Sequence, residues 1–333
     1  MADAAHRKTD LKLEEMEKRL SAIYSRAEKT IQKKMADYAK SIDEKSSELL
    51  QAYKDAETES EKQKAKKAYI RFYRQVIKSK EFVSLSANVA DDLYKANVEA
   101  SAYINSQTPY IYALNYNYIN AEMAKDIESF TPQEITDTEA EKYSGYTQQT
   151  VDEKKDTAWN KDNLKKSVIA GSLLLLGAAA IMKRSANSAV EKNRNSASMH
   201  SDGMGTDAEN KARLDSMYRA EDMGNSITKI WISTLDNRTR DAHADRDGEE
   251  IALDDEFAPG LTRPRDPNGA PSEICNCRCS LKYGVGQSKG ATRSSRLGTV
   301  TGSYKKSSSF KGTTSQEIAN MTYQEWMKWR ATR

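Results

Sequence analysis

The chain has 333 residues, 30% of them charged, with a net charge of +3 and a mean hydropathy of −0.82. This length predicts two or three structural units, and the balanced charge gives no general attraction to nucleic acid, so DNA contact would need a local basic patch. The three cysteines cannot all pair, which excludes a secreted disulfide framework. Because the N-terminus lacks the apolar stretch of a cleavable signal peptide, we expect a cytoplasm-like setting.

Residues 1–130 are predicted to be helical. Residues 8 to about 105 contain neither Pro nor Gly, and apolar residues recur every three or four positions from Leu13 to Ile42. This spacing predicts a long amphipathic helix, and two further helical patterns follow. The helices could form a hairpin or bundle, or an extended coiled coil. We expect Pro109 and Pro132 to interrupt the helical pattern.

Residues 131–226 are predicted to form a second helical region, which contains an apolar helix over residues 167–182. Its sixteen uncharged residues would span about 24 Å, less than the roughly 30 Å hydrocarbon core of a bilayer. A buried core helix is the favoured interpretation, and membrane insertion is the alternative. A separate helix is expected from about residue 207 to about residue 223.

Residues 227–284 are predicted to be a small α+β module, with a helix or turn over 227–235 and strands over 250–253 and 277–283. Alternate side chains of a strand share a face, so Cys275, Cys277 and Cys279 would lie together. Zinc takes thiolate and imidazole ligands, and His243 with Cys277, Cys279 and either Cys275 or Asp247 could complete a tetrahedral site. The alternative is that the cysteines are small buried hydrophobic residues.

The module could also be interpreted as an enzyme, with His243 as a general base among metal-holding aspartates. Aspartates interleaved with arginines more often form structural ion pairs and turn caps, so we expect no catalysis.

The composition changes after residue 284. Residues 285–315 have the Gly, Ser and Lys content of a flexible linker, and a basic tail of this kind could contact DNA. Its candidate DNA-contacting residues are Lys289, Arg293, Arg296, Lys305 and Lys306. Residues 316–333 regain a helical pattern and are predicted to form an anchor helix with an interface made by Tyr323, Trp326 and Trp329.

One motif runs from the end of the second helical region to the last cysteine. Its residues are Trp231, Asp236, Arg238, Thr239, Arg240, Asp241, His243, Asp247, Gly248, Cys277, Arg278 and Cys279. This combination resembles the phage head-morphogenesis family, the Mu F-like minor head proteins of tailed phages, over about residues 231–283. The rest of the chain is similar in architecture only, with a long helical region ahead of a compact module.

The resemblance implies a structural protein of the virion, made in the host cytoplasm and lying in the head interior or at the portal vertex. Its expected partners are the portal protein, the major capsid protein or both, and packaged DNA through the basic tail. It would act in head assembly and in DNA packaging or ejection. A metal-dependent nuclease or toxin-like enzyme carried in the virion is one alternative, and a membrane-active ejection protein using the 167–182 helix is another.

The sequence therefore predicts a mainly α fold. Long N-terminal amphipathic helices precede a small C-terminal α+β module and a flexible basic tail. Zinc is the candidate cofactor, and the alternative is that the chain has none.

Overall fold

The computed structural model describes residues 3–143 and 149–286. The anchor helix, and the linker from residue 287 onward, lie outside the described residues, and so do their candidate contact residues Lys289, Arg293, Arg296, Lys305, Lys306, Tyr323, Trp326 and Trp329. In chain order the elements of the described residues are α1 (Ala4–Lys54), α2 (Glu59–Val76), α3 (Lys80–Asp126), α4 (Asp137–Tyr143), α5 (Glu153–Leu173), α6 (Ala178–Asp222), β1 (Ile227–Ile232), α7 (Asp241–Asp245), β2 (Glu250–Ala252), α8 (Pro271–Ile274) and β3 (Ser280–Val285). The mainly α fold with a small C-terminal α+β module is confirmed.

These elements form two compact units, neither of which is one continuous stretch of chain. The first unit is drawn from Met1–Met16, Ile104–Gln148 and Met199–Arg333, and the second from Glu17–Tyr103 and Gln149–Ser198. The sequence suggested continuous segments divided near residues 130 and 226, whereas α1, α3 and α6 each supply residues to both units. A site within one unit can therefore combine residues that are far apart in sequence.

In the second unit, α1 packs antiparallel to α3. The Tyr24 hydroxyl donates to Asn97 at 2.6 Å, and Lys34 pairs with Asp92 at 2.6 Å. Further along α1, the ring of Tyr38 meets that of Phe82 with centroids 5.7 Å apart. As residue numbers rise along α1, the numbers of the residues that they contact on α3 fall, so the two helices are antiparallel. The apolar stripe of α1 is therefore buried in a helical bundle and not in an extended coiled coil.

The prediction that Pro109 interrupts the helix is wrong, because Pro109 lies inside α3. The residues around it are buried, and the Thr108 hydroxyl donates to the carbonyl of Ile104 at 2.9 Å. Burial of this turn stabilises the helix enough to offset the missing N–H of proline. Pro132 follows the expectation and lies between α3 and α4.

The predicted apolar helix over residues 167–182 is not one helix. α5 ends at Leu173, α6 begins at Ala178, and Leu175 adopts a left-handed φ of 55° in the turn between them. Ala178, Ile181 and Met182 are buried, whereas Leu173 and Leu174 are 49% and 57% exposed. α5 and α6 fold back on each other as a hairpin, and the Asn193 side chain donates to Asn160 Oδ1 across it at 2.8 Å.

α6 continues without interruption to Asp222, so the separate helix expected near residue 207 is part of a longer one. Across residues 3–143 and 149–286, no helix combines the length and the apolar character needed to cross a membrane.

The first unit contains a three-stranded antiparallel sheet in the order β2-β1-β3. The helix or turn predicted at 227–235 is wrong: the segment I-T-K-I-W-I is rich in β-branched and aromatic residues and forms β1. β2 lies where a strand was predicted. β3 begins at Ser280 and includes Val285, so Cys277 and Cys279 precede the strand and the linker starts later than residue 285.

The core of the first unit surrounds Trp231, which lies opposite Leu281 in the register of β1 and β3. The sheet contributes further apolar residues, and helices α3 and α6 cover them. The buried core residues from those two helices are Ile119, Met123, Leu214, Met217 and Ala220. This packing fixes β1, and with it the chain that leaves β1 toward the motif.

Candidate functional site

The motif begins with a turn built around the buried carboxylate of Asp236. Arg278 donates two hydrogen bonds to it, at 2.5 and 2.7 Å, and the Arg238 backbone N–H donates a third at 2.9 Å. The Thr239 hydroxyl is also within hydrogen-bond distance of this carboxylate, at 3.1 Å, and it donates to the carbonyl of Thr234. Burial alone would raise the pKa of Asp236, but the hydrogen bonds and charge of Arg278 outweigh it and hold that pKa below its usual range.

The short helix α7 follows this turn and carries His243. Arg240 precedes the helix, and its guanidinium donates to the carbonyl of Cys275, while Asp241 occupies the first turn, where the helix dipole favours a negative charge. After α7, Gly248 has a left-handed φ of 80° and donates its N–H to the carbonyl of Trp231 at 2.8 Å. A glycine allows this tight return of the chain toward β2.

His243, Cys277 and Cys279 come together in a buried cluster. One ligand atom from each of the three lies within 4.8 Å of the others, and all three side chains are buried. The distance from His243 Nδ1 to Cys279 Sγ is 3.5 Å. Three of the five residues predicted from the sequence as metal ligands therefore meet at one point.

Cys275 and Asp247 do not join this cluster. Cys275 is exposed at the end of α8, and the following Asn276 has a left-handed φ of 55° that turns the chain before Cys277. Asp247 instead accepts the N–H of Ser233 at 2.8 Å. The expectation that three cysteines share one face of a strand is wrong, because the strand starts only after Cys279.

The two clustered thiols differ in acidity. The hydrogen bond from Cys279 lowers the pKa of Cys277, while burial and the neighbouring Cys277 raise the pKa of Cys279 well above its usual value. Cys277 therefore ionises before Cys279, and the thiolate is the form of cysteine that binds a metal ion.

The other ring nitrogen of His243 faces a residue that the motif did not predict. His243 Nε2 lies 3.2 Å from Oε2 of Glu273, and Arg246 donates to the same oxygen at 2.6 Å. The Trp231 ring meets the imidazole edge to face, with centroids 5.3 Å apart. Glu273 lies thirty residues after His243 with no recognisable spacing, so the fold alone reveals this contact.

Comparison with known proteins extends the motif to a longer stretch of the chain. Residues 161–282 match the family described as Phage Mu protein F like protein. Over this stretch the chain is similar to the Mu F-like family. The match begins within α5, so it includes the α5–α6 hairpin as well as the motif at 231–283.

Two curated relatives are similar to part of this chain. It is 32% identical over 75 residues to Minor head protein GP7 of Bacillus phage SPP1, across 22% of this chain and 24% of that protein. It is 38% identical over 63 residues to NAD(+)--arginine ADP-ribosyltransferase EFV of Enterococcus faecalis (strain ATCC 700802 / V583), across 18% of this chain and 13% of that protein. The chain thus spans a quarter or less of either relative. No solved structure matches.

Proposed function

We propose that this chain is a minor structural protein of a tailed-phage head that acts by binding other virion proteins and not by turnover. The family match over residues 161–282 carries this proposal, and the similarity to a protein named as a minor head protein supports it. The site agrees with it, because the motif residues make contacts within the chain. Asp236 holds Arg278, and Arg240 holds the carbonyl of Cys275.

An enzymatic role fits this geometry less well. A general base must reach a proton on its substrate, but His243 is only 2% exposed, and its two ring nitrogens face Cys279 and Glu273. Asp236 is equally buried and is paired with an arginine. The part shared with the ADP-ribosyltransferase is too small a fraction of that protein to carry its activity to this chain.

The partners and the place in the virion follow from the same proposal. The chain would lie in the head interior or at the portal vertex, in contact with the portal protein, the major capsid protein or both. Trp326 and Trp329, which the sequence predicts in an interface, make the last segment the candidate anchor. The basic residues from Lys289 to Lys306 would contact packaged DNA during packaging or ejection.

The first experiment asks whether the chain is a particle component. A phage lacking the gene is complemented with the wild-type chain, and DNA-filled heads are purified and analysed by quantitative mass spectrometry. We expect a constant number of copies per head and fewer infectious particles without complementation. Absence of the chain from purified heads contradicts the proposal.

The second experiment identifies the partner. The chain is expressed with the portal protein and, separately, with the major capsid protein, and each pair is tested for co-purification. We expect a portal complex that Trp326→Ala combined with Trp329→Ala weakens at least tenfold. Trp159→Ala is the matched control, because Trp159 is an exposed tryptophan on α5, and it should leave the complex intact. Equal loss in the control contradicts the anchor assignment.

A further inference from the structure

The buried cluster of His243, Cys277 and Cys279 joins two stretches of the first unit that are separated by more than thirty residues. His243 comes from α7, and the cysteines come from the stretch between α8 and β3. Among the described residues, the ligand atoms of these three side chains lie close enough together to hold a metal ion. Imidazole and thiolates are the ligands that zinc prefers.

The distances agree with a zinc site. A tetrahedral zinc with a Zn–S bond near 2.3 Å and a Zn–N bond near 2.05 Å keeps the sulfur and the nitrogen about 3.5 Å apart. His243 Nδ1 and Cys279 Sγ are 3.5 Å apart. Cys277 Sγ brings a second soft donor to the same point, which a simple hydrogen bond between thiol and imidazole does not require.

Glu273 occupies the position of an outer-sphere partner. Metal-bound histidines usually direct their second ring nitrogen to a carboxylate, which fixes the orientation of the ring. Glu273 Oε2 lies 3.2 Å from His243 Nε2 and is itself held by Arg246. This arrangement assigns Nδ1 to the metal and makes Glu273 a positioning residue, not a ligand.

We propose that His243 Nδ1, Cys277 Sγ and Cys279 Sγ bind one zinc ion and that Cys275 and Asp247 lie outside the ligand set. Two thiolates balance the charge of the dication, and their two protons are released to solvent on binding. The fourth coordination position belongs to a water molecule. Zinc would then link α7 to the segment just before β3, next to the pair formed by Asp236 and Arg278.

This inference goes beyond the proposed function and can fail independently of it. A chain without zinc could still be found in phage heads, and a zinc-binding chain could be absent from them. The tests below therefore use the purified full-length chain and measure the metal directly.

The first test needs no substitution. The full-length chain is loaded with Zn²⁺ under reducing conditions, dialysed, and analysed by elemental mass spectrometry and zinc X-ray absorption. We expect about one zinc per chain with two sulfur and two nitrogen or oxygen neighbours. Failure to retain zinc, three sulfur neighbours, or a disulfide between Cys277 and Cys279 under these conditions overturns the proposal.

The second test compares cysteines of the same segment. Cys277→Ser and Cys279→Ser should each lower the zinc-to-chain ratio to near zero, whereas Cys275→Ser, the matched control, should keep it near one. Glu273→Gln should still bind zinc, with an affinity about tenfold weaker. If Cys275→Ser loses as much zinc as Cys279→Ser, the ligand set is wrong. If the serine variants do not fold, X-ray absorption of the wild-type chain still decides the ligand set.

Discussion

At the scale of single residues, the buried pair of Asp236 and Arg278 holds the motif turn to the start of β3. The guanidinium binds both carboxylate oxygens, and Asp236 is almost completely buried. Removing one member of such a pair leaves the other without its partner, and the loss is larger than the net stability of the intact pair.

We expect Asp236→Asn to lower the free energy of unfolding by about 2–4 kcal/mol at pH 7, because Arg278 loses its charged partner. The folded-state pKa of Asp236 is depressed, so its contribution is present above the unfolded value near 4 and is lost as the pH falls through the folded pKa. Urea unfolding of the wild type and of Asp236→Asn should therefore show a smaller difference in the free energy of unfolding near pH 3 than at pH 7. Asp91→Asn, at the exposed pair of Lys95 and Asp91, is the control and should change nothing measurable.

A second buried carboxyl should behave in the opposite way. Burial raises the pKa of Asp247 to about 7, so the folded chain holds a proton that the unfolded chain has already released. Stability then falls as the pH rises from about 4 to about 7. Asp247→Asn should stabilise the chain at pH 8, by up to roughly 4 kcal/mol, and leave it unchanged near pH 4. Thermal unfolding at both pH values is the measurement, and an equal effect at both would contradict the assignment.

The sequence predicted the site residues better than it predicted their contacts. Residue type and spacing identified His243, Cys277 and Cys279, because soft ligands are rare in this chain. Asp247 and Cys275 were grouped with them because they are near in sequence, but the left-handed Asn276 directs Cys275 away. Glu273 carries no pattern of its own, and its contact with His243 depends on where α8 lies.

At the scale of elements, the turn between α5 and α6 shows how one small residue permits close packing. A Cβ atom added at Gly171 would lie 3.1 Å from the side chain of Ile181, whereas one added at Gly177 would meet nothing within 4 Å. The Tyr69 hydroxyl bonds the carbonyl of Leu176 and holds the turn against α2.

We expect Gly171→Leu to destabilise the chain by about 1–3 kcal/mol, because the added side chain overpacks the contact with Ile181. Gly177→Ala is the control for adding a side chain beside the turn. Gly177 precedes α6, where Gly is preferred to Ala, so this variant should cost no more than about 1 kcal/mol. Thermal or urea unfolding checks both variants. Equal stability of the two variants would show that α5 and α6 do not approach as closely as described.

The start of α1 is held in the first unit by a buried network around Arg213 of α6. Its guanidinium binds Asp3 at 2.6 and 2.9 Å, Glu209 at 3.1 Å and the carbonyl of Leu281 at 3.0 Å. Burial alone would lower the pKa of Arg213, but the charges of Glu209 and Asp3 raise it, so the arginine stays charged. His6 of α1 also lies 2.8 Å from Glu209, so the network connects α1, α6 and β3.

Arg213→Met should loosen the start of α1, because the partly buried Asp3 loses the arginine and the buried Glu209 is left with His6 as its cation. We expect hydrogen exchange of the amides at residues 4–16 to become at least tenfold faster. Lys211→Met is the control, because it removes a partly exposed cation two positions before Arg213 on the same helix. Unchanged exchange in Arg213→Met would contradict a role for the network in docking α1.

Local sequence patterns predicted some elements and not others. The absence of Gly and Pro, together with the apolar stripe, predicted α1, because periodicity alone specifies an amphipathic helix. The run L-L-L-L at residues 173–176 contains no helix breaker, so the turn there depends on packing between α5 and α6. β1 was missed although I-T-K-I-W-I is rich in β-branched and aromatic residues, because a six-residue apolar segment without clear alternation does not by itself distinguish a strand from a helix or turn.

At the scale of the whole molecule, the family match and the folding unit do not coincide. The match covers residues 161–282, but the core around Trp231 also needs Ile119, Met123, Ile127 and Phe130 from the chain near the end of α3. The matched stretch alone would expose the apolar surface that these residues cover.

A fragment of residues 161–282 should therefore fail to form a fixed core, whereas residues 1–286 should unfold cooperatively. Near-ultraviolet circular dichroism and dye binding to exposed apolar surface distinguish the two states. A native-like aromatic signal from the shorter fragment would show that α3 is dispensable for the core.

The contacts of Arg213 also determine the order in which this chain can fold during translation. Asp3 leaves the ribosome about 280 residues before Leu281, and both contact the same guanidinium. At about 5–20 residues per second, the two are separated by roughly 15–55 s of synthesis. Throughout that interval the start of α1 has no completed sheet to dock against. The nascent chain therefore closes its first unit only after β3 has been made, and until then its open apolar surface is accessible to chaperones and proteases.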